Sequence, residues 1–143
     1  MAEPTEHRTE HSDDIVAAPG AEREALTALD AFMTAFNGHD RAGMDAAFHF
    51  PHARIASGAV HILEGPVAPA VDYFARFIKE TGWAYSFWDY RRAVQSKEDK
   101  VHFAVQFTRY RADHTTIGVY PSMWIVAKID GRWGVQARSS FAP

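Results

Sequence analysis

The sequence predicts an α+β domain in which a long, curved antiparallel sheet wraps around helices from the N-terminal half of the chain. Apolar residues recur at helical spacing between positions 21 and 48 and again between 66 and 81, whereas from Trp83 onward they alternate with polar residues. Three of the predicted strands exceed the usual length of about five or six residues, and long antiparallel strands twist and coil. We therefore expect a cone whose concave face is covered by the helices.

Composition limits the classes of function. The chain has 143 residues, of which 47% are hydrophobic and 13% aromatic, which suffices for one domain with a substantial core. The formal net charge is -3, so no basic surface indicates nucleic-acid binding. No apolar run approaches the roughly 20 residues of a membrane span and no signal peptide is recognisable, so we expect a cytoplasmic protein that does not bind membranes. Because cysteine is absent, disulfides, thiolate metal sites and a cysteine nucleophile are excluded.

The first twenty residues are polar and acidic, and they lack apolar periodicity. We expect residues 1–20 to form a disordered leader before a single domain that spans residues 21–143. The first helix begins at Ala21 and ends at Asn37-Gly38, residues that tolerate a left-handed stop. Its inward face includes Phe32 and Phe36.

A second, shorter helix follows, capped by Asp40 and running from Arg41 to about Phe48, because Pro51 prevents its continuation. Residues 52–58 and 60–65 are bracketed by proline and glycine, which predicts two short strands in a hairpin or small ribbon. A third helix opens at residues 66–69, where two prolines suit a first turn, and ends near Thr81. Its inward residues are Val71, Phe74, Phe77 and Ile78.

The remainder of the chain predicts four strands, at residues 83–96, 101–112, 116–130 and 133–141. In the second of these, four apolar residues of one parity are followed on the same parity by Arg109 and Arg111. If the pleat is unbroken, a strand that begins in the core ends as the wall of a pocket with cations on it. The alternative is that the strand leaves the sheet and both arginines are solvated. The four apolar residues are Val101, Phe103, Val105 and Phe107.

The last two strands raise the question of what covers the sheet's outer face. Segment 116–130 carries large apolar groups on both faces, so we expect one face on the cavity or helices and the other against a second subunit in a homodimer. Tyr120 and Trp124 share a parity and are candidates both for the pocket and for the interface. In the final strand, parity places Arg138 on the outer face unless a bulge turns it inward. Pro121 requires a bulge or an edge in its strand.

Three side chains are candidates for acid–base chemistry. His49 and His52 flank Phe50-Pro51 and titrate near neutrality, so either could take a proton from a bound carbon acid; alternatively, each bonds a local carbonyl. Asp89 lies in the most aromatic run of the chain, where desolvation would raise the pKa of a carboxyl group. The alternative is that Asp89 pairs with a nearby arginine on the sheet surface. No ligand spacing indicates a metal site, and no cofactor is expected.

The order of elements resembles the nuclear transport factor 2 (NTF2)-like superfamily, and within it the SnoaL-like branch. The resemblance covers residues 21–143 and includes PHARIASG at 51–58, TRYRAD at 108–113 and DGRWGVQARSSF at 130–141. It implies a cystatin-like α+β barrel with an apolar cavity between helices and sheet, in a dimer formed through the outer face of the sheet. The superfamily includes ketosteroid isomerases, scytalone dehydratases, polyketide cyclases and non-enzymatic binding domains, so the fold does not select the function.

The sequence departs from these enzymes at the residues that carry their chemistry. Ketosteroid isomerases use a tyrosine on the first helix, where this chain offers Phe32 and Phe36. SnoaL-like cyclases rely on an aspartate late in the meander, and segment 101–111 contains none. Neither chemistry can therefore be carried over residue by residue.

The predicted function is the binding of a small, largely apolar molecule with one polar or anionic group, which Arg109 and a histidine face. If the protein is an enzyme, we expect a cofactor-independent isomerase or lyase that works by proton transfer, with His52, Asp89 or His49 as base. The alternative is a non-catalytic dimerisation or ligand-sensing module. The candidate ligand-binding residues are Arg109, Phe32, Phe36, Phe74, Phe103, Phe107, Trp88, Tyr120, Trp124 and Arg138.

Overall fold

The computed structural model describes residues 18–66 and 73–143, and it has the predicted α+β architecture. Three helices and six strands follow one another in the described ranges, and the strands form one sheet of order β2-β1-β6-β5-β4-β3. The elements are α1 (Pro19–Asn37), α2 (Arg41–Ala46), β1 (Phe48–Ala56), β2 (Ala59–Leu63), α3 (Tyr73–Thr81), β3 (Trp83–Lys97), β4 (Lys100–Arg111), β5 (Thr116–Ile129) and β6 (Arg132–Ser140).

The topology places the first and last strands side by side. β1 pairs with β6 in parallel, whereas the other neighbouring strands are antiparallel. α1 lies on the concave face of the sheet, where Phe32 meets Trp124 edge-on at 4.9 Å between ring centroids and Phe36 lies 4.8 Å from Trp83. The core is therefore the space between α1 and the sheet, and it is rich in aromatic rings.

Several element boundaries differ from those that the sequence predicts; β2, for example, ends at Leu63. α1 begins at Pro19, two residues inside the expected leader, because the Ala18 N–H donates to Ser96 Oγ and so ties the helix start to β3; residues 1–17 lie outside the described ranges. α2 ends at Ala46, and β1 already begins at Phe48. The strand tolerates Pro51 because its pairing with β6 is interrupted there, so the missing N–H breaks no ladder.

The third helix is described only from Tyr73, so its predicted start at residues 66–69 and Val71 are not covered by the described residues. Its end at Thr81 agrees with the prediction. Pro121 lies just beyond the β5–β6 pairing, which ends at Ser122, so it occupies an edge as expected. Within the described ranges, no helix has the length and hydropathy to cross a membrane.

Two bulges decide which side chains face the core. On β6, Val135 and Ala137 oppose two successive residues of β5, so Gln136 is an extra, unpaired residue. Beyond Gln136, the side chains of β6 that alternation would direct outward therefore point inward. On β3, Trp88 and Tyr90 oppose successive residues of β4, which makes Asp89 the extra residue there. The bulge at Gln136 thus directs the side chain of Arg138 towards the core side of the sheet.

Candidate functional site

A cavity of about 350 Å³ lies between the helices and the concave face of the sheet. Every helix and strand of the described ranges contributes at least one residue to its wall, which is mainly aromatic and aliphatic but includes four arginines. The apolar wall is formed by Phe32, Met33, Phe36, Met44, Phe48, Leu63, Phe77, Trp88, Phe107 and Trp124, and the four arginines are Arg41, Arg54, Arg109 and Arg138.

Arg109 reaches the cavity because β4 keeps its alternation to this residue, as the sequence predicts. It is only 9% exposed, and its Cζ lies 4.9 Å from the ring centroid of Phe77, 5.7 Å from that of Phe107 and 5.0 Å from that of Tyr120. Its Nε is buried without a hydrogen-bond partner among the described residues. Burial lowers the pKa of Arg109, an effect that the hydroxyl of Tyr120 opposes. The side chain is thus a buried cation surrounded by aromatic rings.

Arg138 faces the cavity because the bulge at Gln136 reverses the parity of β6. Its Cζ lies 5.4 Å from the centroid of Phe32, 4.9 Å from that of Phe48 and 5.4 Å from that of Trp124. Burial, followed by the positive charge of Arg54, lowers the pKa of Arg138 to about 9. At pH 7 the guanidinium remains protonated.

His52 forms a hydrogen bond with Arg138 and does not line the cavity. The side chain is fully buried; Nδ1–H donates to the Val135 carbonyl at 3.0 Å, and Nε2 accepts the Nε–H of Arg138 at 3.0 Å. Its ring stacks on Phe48 at 4.1 Å between centroids. Burial, and then the charge of Arg138, lowers the pKa of His52 to about 4. Since both ring nitrogens are engaged and the residue is outside the cavity wall, the structure does not support the expected role as a base.

The other two candidate bases also lie outside the cavity wall. His49 donates Nε2–H to the Arg132 carbonyl at 2.8 Å and accepts from Arg132 Nη2 at 3.0 Å, so it fastens the turn between β5 and β6. The exposed Asp89 accepts from Thr108 Oγ1 at 2.7 Å and from Gln106 Nε2 at 3.2 Å, both on the outer parity of β4. The bulge at Asp89 directs this carboxylate away from the cavity.

Among the predicted ligand-binding residues, Phe32, Phe36, Trp88, Phe107, Trp124, Arg109 and Arg138 line the cavity. Three others lie elsewhere. Phe74 and Phe103 belong to the buried core, and Tyr120 lies behind Phe107 and Arg109. The inward position of Trp124, which is 2% exposed, removes it as an interface anchor.

Two of the four cavity arginines, Arg54 and Arg41, are not among the residues predicted from the sequence. Arg54 shares the parity of His52 on β1, a signal that could have placed it inside, and its Nη2 donates to the Pro143 carbonyl at 3.4 Å. Arg41 is the first residue of α2; its Nε lies 3.5 Å from Asp45 Oδ1 and its Cζ 4.9 Å from the ring of Tyr73. Nothing in the local pattern of α2 distinguishes Arg41 from a solvated helix residue.

The cavity is strongly positive. Within residues 18–66 and 73–143, Asp45 supplies the ion pair of Arg41, and neither Arg109 nor Arg138 pairs with a carboxylate. No cluster of three metal-ligating side chains occurs in the same ranges. The histidine that does line the cavity is His61, on the exposed strand β2. The wall therefore offers cations and aromatic rings.

No protein-family model matches the sequence, and no curated protein matches it either. Solved structures do match: a protein of unknown function with a cystatin-like fold from Nostoc punctiforme has a TM-score of 0.68 at 15% identity, over 87% of this chain and 92% of that one. An NTF2-like protein from Novosphingobium aromaticivorans has a TM-score of 0.68 at 13% identity, over 96% and 86%. A ketosteroid isomerase-like protein from Erwinia carotovora atroseptica has a TM-score of 0.61 at 17% identity, over 83% and 93%. At these identities the likeness concerns the fold.

Proposed function

Because the chain has the cystatin-like fold of the NTF2-like proteins, we propose that its cavity binds a small, largely apolar anion whose negative charge is stabilised by the guanidinium groups of the cavity, above all Arg109 and Arg138. One observation carries the proposal. Two guanidinium groups face an apolar cavity without a carboxylate partner anywhere in the described ranges.

Electrostatics favours an anionic ligand. A buried charge without a counter-ion costs several kcal/mol, which a protein normally offsets by pairing. A carboxylate on the ligand would supply the missing partner through charge-assisted hydrogen bonds, and the planar guanidinium suits it better than it suits a neutral group. The surrounding rings would then cover the apolar part of the ligand.

The size of the cavity limits the ligand. At about 30 Å³ per water molecule, the cavity holds roughly a dozen waters, and its volume of about 350 Å³ is near the lower end of ligand pockets. A molecule with one or two rings, or a chain of comparable volume, fits this space.

The wall favours binding over proton transfer. In the described part of the wall there is no aspartate or glutamate, and the one histidine, His61, lies on an exposed edge strand. A general base works best where water is excluded and its pKa can be tuned. We therefore assign a ligand-binding role and take the ketosteroid isomerase-like protein as similar in fold only.

We also propose that a second copy of the chain covers the outer face of the sheet. Phe87 on β3 is 60% exposed and Val119 on β5 is 49% exposed. Both pair with Thr108 of β4, so they lie in one row across three strands. Met123, 41% exposed, extends this apolar surface along β5. Contiguous exposed apolar groups of this kind are typical of protein interfaces.

The proposed ligand class is tested with a matched pair of compounds. Thermal shift assays with 2-naphthoate and 2-naphthamide compare an anion with a neutral molecule of the same shape. We expect the naphthoate to stabilise the protein and the amide to have little effect. The difference should be lost in the double variant Arg109→Met/Arg138→Met and kept in Arg76→Met, whose arginine lies on the exposed face of α3. Equal shifts for both compounds would contradict the proposal.

A further inference from the structure

The two unpaired guanidinium groups have separate aromatic surroundings. Arg109 lies over one set of three rings and Arg138 over another, and no ring belongs to both sets. A single carboxylate held by both arginines would require them to converge on one point. Separate surroundings indicate two places in the cavity where negative charge is stabilised.

Aromatic rings connect these two places. The ring centroid of Trp88 lies 6.0 Å from that of Phe107, a ring next to Arg109. It lies 5.2 Å from that of Trp124, a ring next to Arg138. All three rings line the cavity. This row therefore forms an apolar wall with a guanidinium at each end.

A second row runs along α1. The ring centroid of Phe36 lies 6.0 Å from that of Phe77, the ring over which Arg109 lies. It lies 5.7 Å from that of Phe32, the ring over which Arg138 lies. These rings also line the cavity. The space between the cations is thus bounded by rings on the helix side as well as on the sheet side.

The strand register separates the two arginines in the same way. Arg109 pairs with Gly118 of β5, whereas Arg138 pairs with Trp124, six positions further along that strand. At about 3.3 Å per residue, these positions are roughly 20 Å apart along β5. The long arginine side chains reach the common cavity from well-separated points on the sheet.

The charge of the wall supports more than one anionic group. Arg54 and Arg41 line the cavity as well, and Arg41 has an ion pair with Asp45. The guanidinium groups of Arg109 and Arg138 thus have no carboxylate partner within the described ranges. A ligand with one negative charge would leave one of these two groups without a counter-ion.

From this geometry we infer that the ligand is a dicarboxylate: an apolar or aromatic body with a carboxylate at each end, one held by Arg109 and the other by Arg138. The inference rests on the proposed function, since it specifies the anion that the cavity takes. Arg138 offers its terminal Nη groups, because its Nε is engaged by His52.

Isothermal titration calorimetry with two matched pairs of compounds tests the inference. Naphthalene-2,6-dicarboxylate is compared with 2-naphthoate, and the flexible azelate with nonanoate, so that a mismatch in the spacing of the rigid diacid cannot hide the effect. We expect each diacid to bind at least about ten-fold more tightly than its monoacid, as a second charge-assisted contact implies. Arg109→Met and Arg138→Met should each reduce diacid affinity to the monoacid level, whereas Arg76→Met should leave it unchanged.

The outcomes separate the two proposals. If the monoacids bind as tightly as the diacids, the dicarboxylate inference is overturned while the anion-binding function stands. 2-Naphthyl phosphate, which has both charges at one end, provides a further arm; tighter binding than the dicarboxylate would show convergent arginines and also overturn the inference. If neither acids nor phosphate bind, the proposed function itself fails.

Discussion

Arg138 donates its Nε–H to Nε2 of the fully buried His52 at 3.0 Å, and His52 in turn donates Nδ1–H to a backbone carbonyl of the same strand that carries Arg138. This chain of hydrogen bonds fixes the tautomer of the histidine and the orientation of the guanidinium. The residue that the sequence suggests as a base is therefore a positioning residue for Arg138, the arginine to which we assign the binding of an anion.

Replacing His52 should weaken the binding of anions selectively. His52→Phe keeps the ring that stacks on Phe48 but removes the acceptor for Arg138. We expect the affinity for naphthalene-2,6-dicarboxylate, whose second carboxylate needs Arg138, to fall by about ten-fold, in line with the loss of a hydrogen bond to a charged group. The affinity for 2-naphthamide should stay constant; both are measured by calorimetry. His52→Gln, whose side-chain oxygen can accept in place of Nε2, should restore much of the affinity. An equal loss for both compounds in both variants would indicate a purely structural role.

The low pKa of His52 makes the stability of the fold pH-dependent. Folding lowers its pKa from 6.5 to about 4, so the unfolded state binds the additional proton between these values. The contribution is fully present above pH 6.5 and is lost as the pH falls to 4. The shift corresponds to about 3 kcal/mol of unfolding free energy.

Urea unfolding at pH 7 and pH 4 measures this contribution. Carboxylates also titrate in this range, so the wild type is compared with His52→Phe, which has no titrating ring. We expect the wild type to lose about 3 kcal/mol more than the variant. The same loss in both proteins would contradict the neutral, buried state assigned to His52.

Gly118 allows Tyr120 to pack beside Arg109. A Cβ built on Gly118 would lie 2.5 Å from Tyr120 Cζ, so Gly118→Ala forces the phenol ring to move. We expect a loss of about 1–3 kcal/mol in unfolding free energy and weaker binding of 2-naphthoate. The control is Gly20→Ala in α1, where the nearest atom is a flexible arginine nitrogen at 4.0 Å; this change should be neutral or slightly stabilising. Unchanged stability in Gly118→Ala would disprove the packing argument.

The proposed dimer predicts that one of two matched surface substitutions changes the oligomeric state. Val119→Asp introduces a charge at the outer sheet face, and Val60→Asp introduces the same charge on β2, where the side chain is 65% exposed. In sedimentation velocity at micromolar concentration we expect a dimer for the wild type and for Val60→Asp, and a monomer for Val119→Asp. A monomeric wild type, or a dimer that survives Val119→Asp, would refute this interface.

The fold was more predictable from the sequence than the site. The alternation of β4 from Val101 to Arg109 survives in the structure because that segment contains no bulge on the core face, so parity alone placed Arg109. In contrast, the bulges at Gln136 and Asp89 each insert one extra residue, which changes the face of the sheet towards which side chains point. An insertion of a single residue hardly changes the pattern of apolar and polar residues, so the sequence does not reveal it.

Long-range contacts account for the remaining differences. His49 and His52 both bond groups more than 80 residues away along the chain, so a reading of their immediate neighbours could not anticipate their partners. The cavity combines side chains from all the described elements, and Arg54 and Arg41 enter it through the placement of β1 and α2. Such convergence is a property of the packed structure.

A crystal structure of the protein with 2-naphthoate tests the central claim most directly. We predict density for the naphthyl group among the aromatic rings of the cavity, with the carboxylate within hydrogen-bond distance of the guanidinium group of Arg109 or Arg138. A naphthoate bound outside the cavity, or one inside it with the carboxylate directed away from both arginines, would contradict the account.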